Sequence, residues 1–294
     1  MRLGPLCWWG LRFLAIVLAG HVQYSFGEEG YGWTTLDAAV CCRHLDDPTA
    51  LFDCVLNATS TVPVAGNTVV VTFATDNIIP YAAYALAVNA IYAEANGYHF
   101  RIIRPSSHPE YQTTLDPRWN KVHILQQALG GWAREAAYLL WLDSDLVLLD
   151  LTLRIEQLAA QHPHAEIVMS KDVETAPFVS NSGAVLVRNS AWVRQFLDLW
   201  WSSYDRNKCC DQNAFTWLHD RHLPLDIQQK TALLPADAMN THFPAWRHQN
   251  LDSRVLHLAG LTSLYRREVF SSGLRNLCAG MGVGVGIDVD VGVG

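Results

Sequence analysis

From residue 68 onward, short unbroken apolar runs take turns with longer stretches whose apolar residues recur every three or four positions. The run Thr68-Val69-Val70-Val71-Thr72-Phe73, bounded by Asn67 and by Asp76-Asn77, has the β-branched, uninterrupted character of a strand covered on both faces. After Pro80 the spacing turns helical and stops at Asn96-Gly97, and a second apolar run follows at 100–103, which predicts a strand-helix-strand unit. Between 119 and 129, Trp119, Val122, Leu125, Gln126 and Leu129 share one side of a predicted helix that Gly130-Gly131 ends. Tyr138-Leu139-Leu140-Trp141-Leu142 is again an unbroken strand run, and 185–187 repeats the signal. Helices are predicted at 192–201 and from about Asp211 through 218, and short strands at 232–234 and 255–258.

Strands that alternate with helices argue for an α/β fold with a mostly parallel central sheet, flanking helices and right-handed crossovers. In such sheets ligands sit beyond the carboxyl ends of the strands. A chain of 294 residues fits one large α/β unit, expected here over residues 67–279 as a single domain.

The flanks have a different character. Residues 1–27 place Arg2 and Arg12 before an apolar run at 13–20 and end on Ser25-Phe26-Gly27, the layout of a signal peptide cleaved after Gly27, with an uncleaved signal anchor as the alternative. Arg12 interrupts the roughly 20 apolar residues that a span needs, so cleavage is the favoured reading. Membrane association is expected only if the segment stays. Residues 28–66 form a stem or cap with cysteines and the sequon Asn57-Ala58-Thr59, an acceptor for glycosylation. Without Cys7, six cysteines remain, namely Cys41, Cys42, Cys54, Cys209, Cys210 and Cys278. An even set suits disulfides in an oxidising lumen, with the pairing open; zinc is the rival reading, weakened by the lack of Cys-x-x-Cys spacing. Residues 280–294 repeat Gly with Val, Ile and Asp and read as a low-complexity tail, in which Asp288 and Asp290 lack an apolar strand to present them.

Charge narrows the partners. With 21 Lys+Arg against 28 Asp+Glu the formal charge is −7, and no basic stripe is present to neutralise a phosphate backbone, so nucleic acid is not an expected partner.

The strand at 138–142 runs straight into Asp143-Ser144-Asp145. Side chains two apart in extended backbone face the same way, so both carboxylates can converge on one hard cation such as Mn²⁺ or Mg²⁺. An isolated Asp-x-Asp is common and often only caps a turn. Directly after five apolar residues, however, two ionised groups carry a desolvation cost that a cation would offset.

In this context the segment resembles the Asp-x-Asp signature of GT-A-fold nucleotide-sugar glycosyltransferases. Asn181-Ser182-Gly183-Ala184-Val185-Leu186-Val187-Arg188-Asn189-Ser190-Ala191-Trp192 is similar to a block of glycosyltransferase family 34, the galactosyl-, mannosyl- and xylosyltransferases. Trp119-Asn120-Lys121, Asp211-Gln212-Asn213 and Val255-Leu256-His257-Leu258-Ala259-Gly260 resemble further blocks of that family in the same order. Family 8 transferases, which share the Asp-x-Asp, an Asn-x-Gly and a late His, are the nearest rival.

The resemblance implies a metal site of Asp145 and His257, with Asp143 on the metal or on the donor ribose. Without the matching block, His257 would read as a packed core histidine. Ser144, Lys121, Asn181, Ser182 and Gly183 would contact the donor, Lys121 through its phosphates and Gly183 by leaving room for the sugar. The plainer alternatives are a solvated lysine and a simple turn. Asp211 and Gln212, otherwise ordinary helix-start residues, would stand beside the transferred sugar and support catalysis with retention. The expected reaction is transfer of a hexose or pentose from a nucleotide diphosphate sugar, a UDP-sugar first and GDP-mannose second, to a glycan acceptor hydroxyl. The expected location is the secretory pathway, in the Golgi or ER lumen, or outside the cell. A catalytically silent secreted sugar- or nucleotide-binding protein and a metal-dependent hydrolase are the readings from other classes.

Overall fold

A computed structural model describes residues 37–60, 67–106, 111, 116–172, 178–204, 210–221, 225–241 and 254–281. The expected leader at 1–27, Cys209, and the tail from 282 with Asp288 and Asp290 lie outside these residues.

Six strands form the main sheet: β1 (Thr68–Phe73), β2 (His99–Ile103), β3 (Tyr138–Leu142), β5 (Ile167–Ser170), β6 (Asn181–Arg188) and β7 (Thr231–Leu234), in the order β2-β1-β3-β6-β5-β7. β1 is parallel to β2 and β3, and β5 is parallel to β7; β6 runs antiparallel to both β3 and β5. The mostly parallel sheet is therefore as expected, with one reversed strand. That reversal brings the first residues of β6 to the edge where β1, β3 and β5 end. A second, two-stranded sheet pairs β4 (Leu146–Leu148) with β8 (Val255–His257).

Successive side chains of a strand face opposite ways, and the two resulting surfaces are each covered. Val70, Leu140, Leu142, Ala184, Leu186 and Val168 face one core, filled by α1 (Pro48–Ser60), α2 (Ile79–Ala95) and the C-terminal helix Ser263–Gly280. Val69, Val71, Leu139, Trp141, Val185 and Val187 face the other, covered by α3 (Asn120–Gly130), Ala191–Ser202 and Asp211–Asp220. A sheet buried on both faces explains why its strands read as unbroken apolar runs. Helix α2 is apolar nearly all round because it is buried on nearly all sides, with 14 of its residues in the core. Among the described residues only Asp76–Ala95 is long and apolar enough to cross a membrane, and it is this core helix.

Two disulfides, Cys41–Cys54 and Cys42–Cys278, settle the pairing of four cysteines and displace the zinc reading for them. The second joins residues 236 positions apart, stapling the segment before α1 to the C-terminal helix. Residues 37–60 have a 3₁₀ turn, Asp37–His44, and helix α1, whose Leu51, Phe52 and Val55 are fully buried. Asn57 of the sequon is exposed on α1, while the Thr59 hydroxyl donates to the Val55 carbonyl at 2.9 Å.

Candidate functional site

Trp141 lies on β3 and Asp143 directly follows the strand's last residue, and the Trp141 indole Nε1 donates to Asp143 Oδ1 at 2.6 Å. The chain then turns: the Leu146 amide donates to the Asp143 carbonyl at 3.1 Å, and Ser144 and Asp145 occupy the bend before β4 begins. The two carboxylates thus converge across a turn instead of along an extended strand. The reason is that the chain leaves the large sheet at Leu142 and enters the small one at Leu146. Ser144, buried, donates through its hydroxyl to the Phe73 carbonyl at the end of β1; it ties the turn to the neighbouring strand.

β8 brings His257 opposite Leu146. The His257 Nε2 is 3.2 Å from Asp145 Oδ1, and ligand atoms of Asp143, Asp145 and His257 all lie within 4.8 Å of one another. Two carboxylates and an imidazole make a donor set suited to a borderline or hard divalent cation, so the residues fit the implied metal. Gly183 is what admits the imidazole. A Cβ there would stand 2.4 Å from His257 Cε1 and 2.8 Å from Nδ1, so the missing side chain makes room for the histidine.

Lys121 sits at the start of α3 with its side chain 3% exposed, far from the solvated lysine of the plainer reading. Its Nζ reaches Asp211 Oδ2 at 2.9 Å, Ser182 Oγ at 3.0 Å and Asp143 Oδ1 at 3.3 Å. Burial alone would lower the Lys121 pKa, but the Asp143 and Asp211 carboxylates more than reverse this and hold it above the usual value. Burial, reinforced by neighbouring Asp145, raises Asp143 despite Lys121. Asp145 goes the other way: against burial, His257 and Arg266 bring it down to about 2. Asp211 is buried at the first position of its helix, directly after the N-cap residue Cys210. Gln212 Oε1 accepts from the Ser182 amide at 3.1 Å, and its Nε2 donates to Asp172 Oδ2 at 2.6 Å. The Asn181 Oδ1 accepts from the Gly183 amide at 2.8 Å.

Of the ten sequence-predicted residues, nine line one cleft of about 650 Å³, and the tenth, Gly183, packs against the His257 ring. The structure also adds residues that the sequence reading missed. Arg266, near the start of the C-terminal helix, donates from Nη2 to Asp145 Oδ2 at 2.8 Å, from Nη1 to the Tyr81 hydroxyl at 3.1 Å and from Nε to the Leu258 carbonyl at 2.9 Å. Asp172 lies two residues beyond β5 and accepts from Gln212, and buried Asn240 touches the far nitrogen of His257. None sits in a block with a recognisable pattern. The nearest signal is for Arg266, an Arg-Arg pair nine residues after His257.

Residues 80–180 match the sequence pattern of the galactosyl transferase GMA12/MNN10 family, glycosyltransferase family 34. The match includes Lys121, Asp143 and Asp145; Asn181, Asp211, Gln212 and His257 lie beyond it. Two curated proteins named "Probable glycosyltransferase 7", from Oryza sativa subsp. indica and subsp. japonica, are 29% identical over 117 residues, 37% of this chain and 24% of theirs. The chain's match thus spans about a quarter of the length of these relatives. The crystal structure of a glycosyltransferase involved in the glycosylation of the major capsid of PBCV-1 matches with a TM-score of 0.57 at 16% identity, over 69% of this chain and 98% of that one. At that identity the likeness speaks for the fold.

Proposed function

We propose that this chain, a GT-A-fold glycosyltransferase related to family 34, transfers a hexose or pentose with retention from a nucleotide diphosphate sugar to a glycan hydroxyl, using a divalent cation held by Asp143, Asp145 and His257. The observation that carries this reading is the meeting of those three side chains, one of them 112 residues from its neighbour. Bound there, Mn²⁺ or Mg²⁺ would supply Lewis-acid stabilisation of charge on the departing diphosphate. The cleft is lined by the carboxylates of Asp143, Asp145 and Asp211 and by the cations Arg118, Lys121 and Arg266. Lys121 clamps Asp143 to Asp211, which keeps the metal end and the sugar end of the cleft in register. Arg266 presents its guanidinium beside Asp145, where it can donate to phosphate oxygens. Asp172 and the Ser182 amide fix both ends of the Gln212 amide, so that Gln212 and Asp211 form a rigid wall for the transferred sugar. UDP-sugars are the first choice of donor and GDP-mannose the second, and the two disulfides favour an oxidising lumen of the secretory pathway.

The test is nucleotide release from a panel of nucleotide sugars with Mn²⁺, with and without acceptor and EDTA. Release that requires both acceptor and metal is expected. EDTA-insensitive release overturns the metal role, and equal release without acceptor points to a hydrolase. In the same protein, Asp145→Ala should abolish stabilisation by UDP with Mn²⁺ in a thermal-shift assay, which for wild type at a hundredfold excess over Kd is about 2.7 kcal/mol.

A further inference from the structure

His257 can serve a metal only through a nitrogen that carries no proton, and the two ring nitrogens face different surroundings. Nε2 points at Asp145 Oδ1. Nδ1 meets the side-chain oxygen of Asn240, a residue with no exposed surface. An amide oxygen can only accept, so this contact requires a proton on Nδ1; the Asp145 carboxylate at Nε2 is likewise an acceptor, so a metal entering there takes the place of any proton on Nε2 and leaves the one on Nδ1. The backbone leaves the ring little freedom to choose otherwise, because the His257 amide donates to the Thr241 carbonyl at 2.9 Å, and the Leu258 amide donates to the Asp145 carbonyl at 2.9 Å. These bonds lock β8 to residue 241 on one side and to the acidic turn on the other. Gly183 bounds the ring from a third side.

Asn240 also bears a mark of being held for its oxygen. Its Nδ2 is buried and finds no hydrogen-bond partner among the described residues. An amide placed only for packing would be expected to satisfy both ends. Resting on the metal reading above, we propose that Asn240 is a positioning residue for the metal site: it accepts from Nδ1–H of His257 and so keeps Nε2, the nitrogen a metal would take, directed at Asp145 and the space beside Asp143. It touches neither metal nor substrate and acts through the imidazole alone.

The ring's orientation is measurable with the metal alone. In full-length protein loaded with diamagnetic Zn²⁺, long-range ¹H–¹⁵N spectra of His257 should show the metal on Nε2 and the proton on Nδ1. A wild-type spectrum with the metal on Nδ1 overturns the proposal even if Mn²⁺ binding and transfer are normal, which separates its failure from failure of the proposed function. Asn240→Asp keeps an acceptor, and should keep the ring's orientation and Mn²⁺ affinity within a few-fold. Asn240→Leu keeps the volume and loses the acceptor, and should weaken Mn²⁺ binding, read by titration of the free ion's EPR signal, by 10–100-fold. Equal Mn²⁺ affinity in a folded Asn240→Leu protein would also overturn it; should that variant not fold, the wild-type spectrum decides.

Discussion

A methyl group is the smallest change that tests the site. In Gly183→Ala the new Cβ would overlap the His257 ring at 2.4 Å, and the ring cannot retreat because Asn240 and the paired β8 backbone hold it. The expected outcome is a stability loss of about 1–3 kcal/mol with Mn²⁺ affinity reduced tenfold or more; unchanged affinity would mean that the ring has room the distances deny. Lys121 tests charge instead of shape. With its ammonium and the Asp211 carboxylate both 3% exposed, Lys121→Met leaves a buried anion uncompensated and should cost about 3–5 kcal/mol in urea unfolding. Pairing Lys121→Met with Asp211→Asn should recover part of that loss, and no recovery would show that the two groups are not coupled. Asp143, Lys121 and Asp211 stand far apart in sequence, and their partnership was invisible there. A lysine at a helix start reads the same whether it is solvated or buried, and only the tertiary fold decides.

At the level of strands and helices, legibility followed burial. Runs covered on both faces, such as β1 and β3, were plain in the sequence because nothing polar interrupts them. The helix α2 was bracketed correctly by Pro80 in its first turn and by Asn96-Gly97, where Gly97 takes φ +69°. β4 at three residues and β5 at four escaped, although β8 and β7, just as short, were read from their apolar runs. The C-terminal helix escaped too; its polar residues Arg266, Arg267, Arg275 and Asn276 dilute the apolar stripe, though Thr262 caps it by accepting from the Tyr265 amide. The edge strand β2 carries one further consequence. His99 is buried there with neither ring nitrogen partnered among the described residues, and burial, aided by Arg101, lowers its pKa. The folded state therefore binds that proton less well than the unfolded chain, whose imidazole titrates near 6.5. Stability from this site is complete above that value and is lost as pH falls towards the folded pKa. His99→Phe should flatten the acid side of the stability profile below about pH 6.5; an unchanged slope would exonerate His99.

For the molecule as a whole, the fold class, the order of the elements and the acidic turn were legible. The site's completion by distant residues was not, since tertiary closure leaves no local pattern. Much of that closure runs through the Cys42–Cys278 staple, which fixes the helix that presents Arg266. Replacing both cysteines by serine should cost on the order of 5 kcal/mol for a loop of this length. It should also weaken UDP binding beyond what the stability loss alone produces; if affinity at a temperature where the variant is folded stays at the wild-type level, the staple does not position Arg266. The same arrangement sets an order of events at the ribosome. Asp145 is synthesised 112 residues before His257, roughly ten seconds at ordinary elongation rates, and Arg266 and Cys278 follow later still. The nascent acidic pair must wait through that interval without its imidazole, so competence to hold a cation is among the last properties the growing chain acquires.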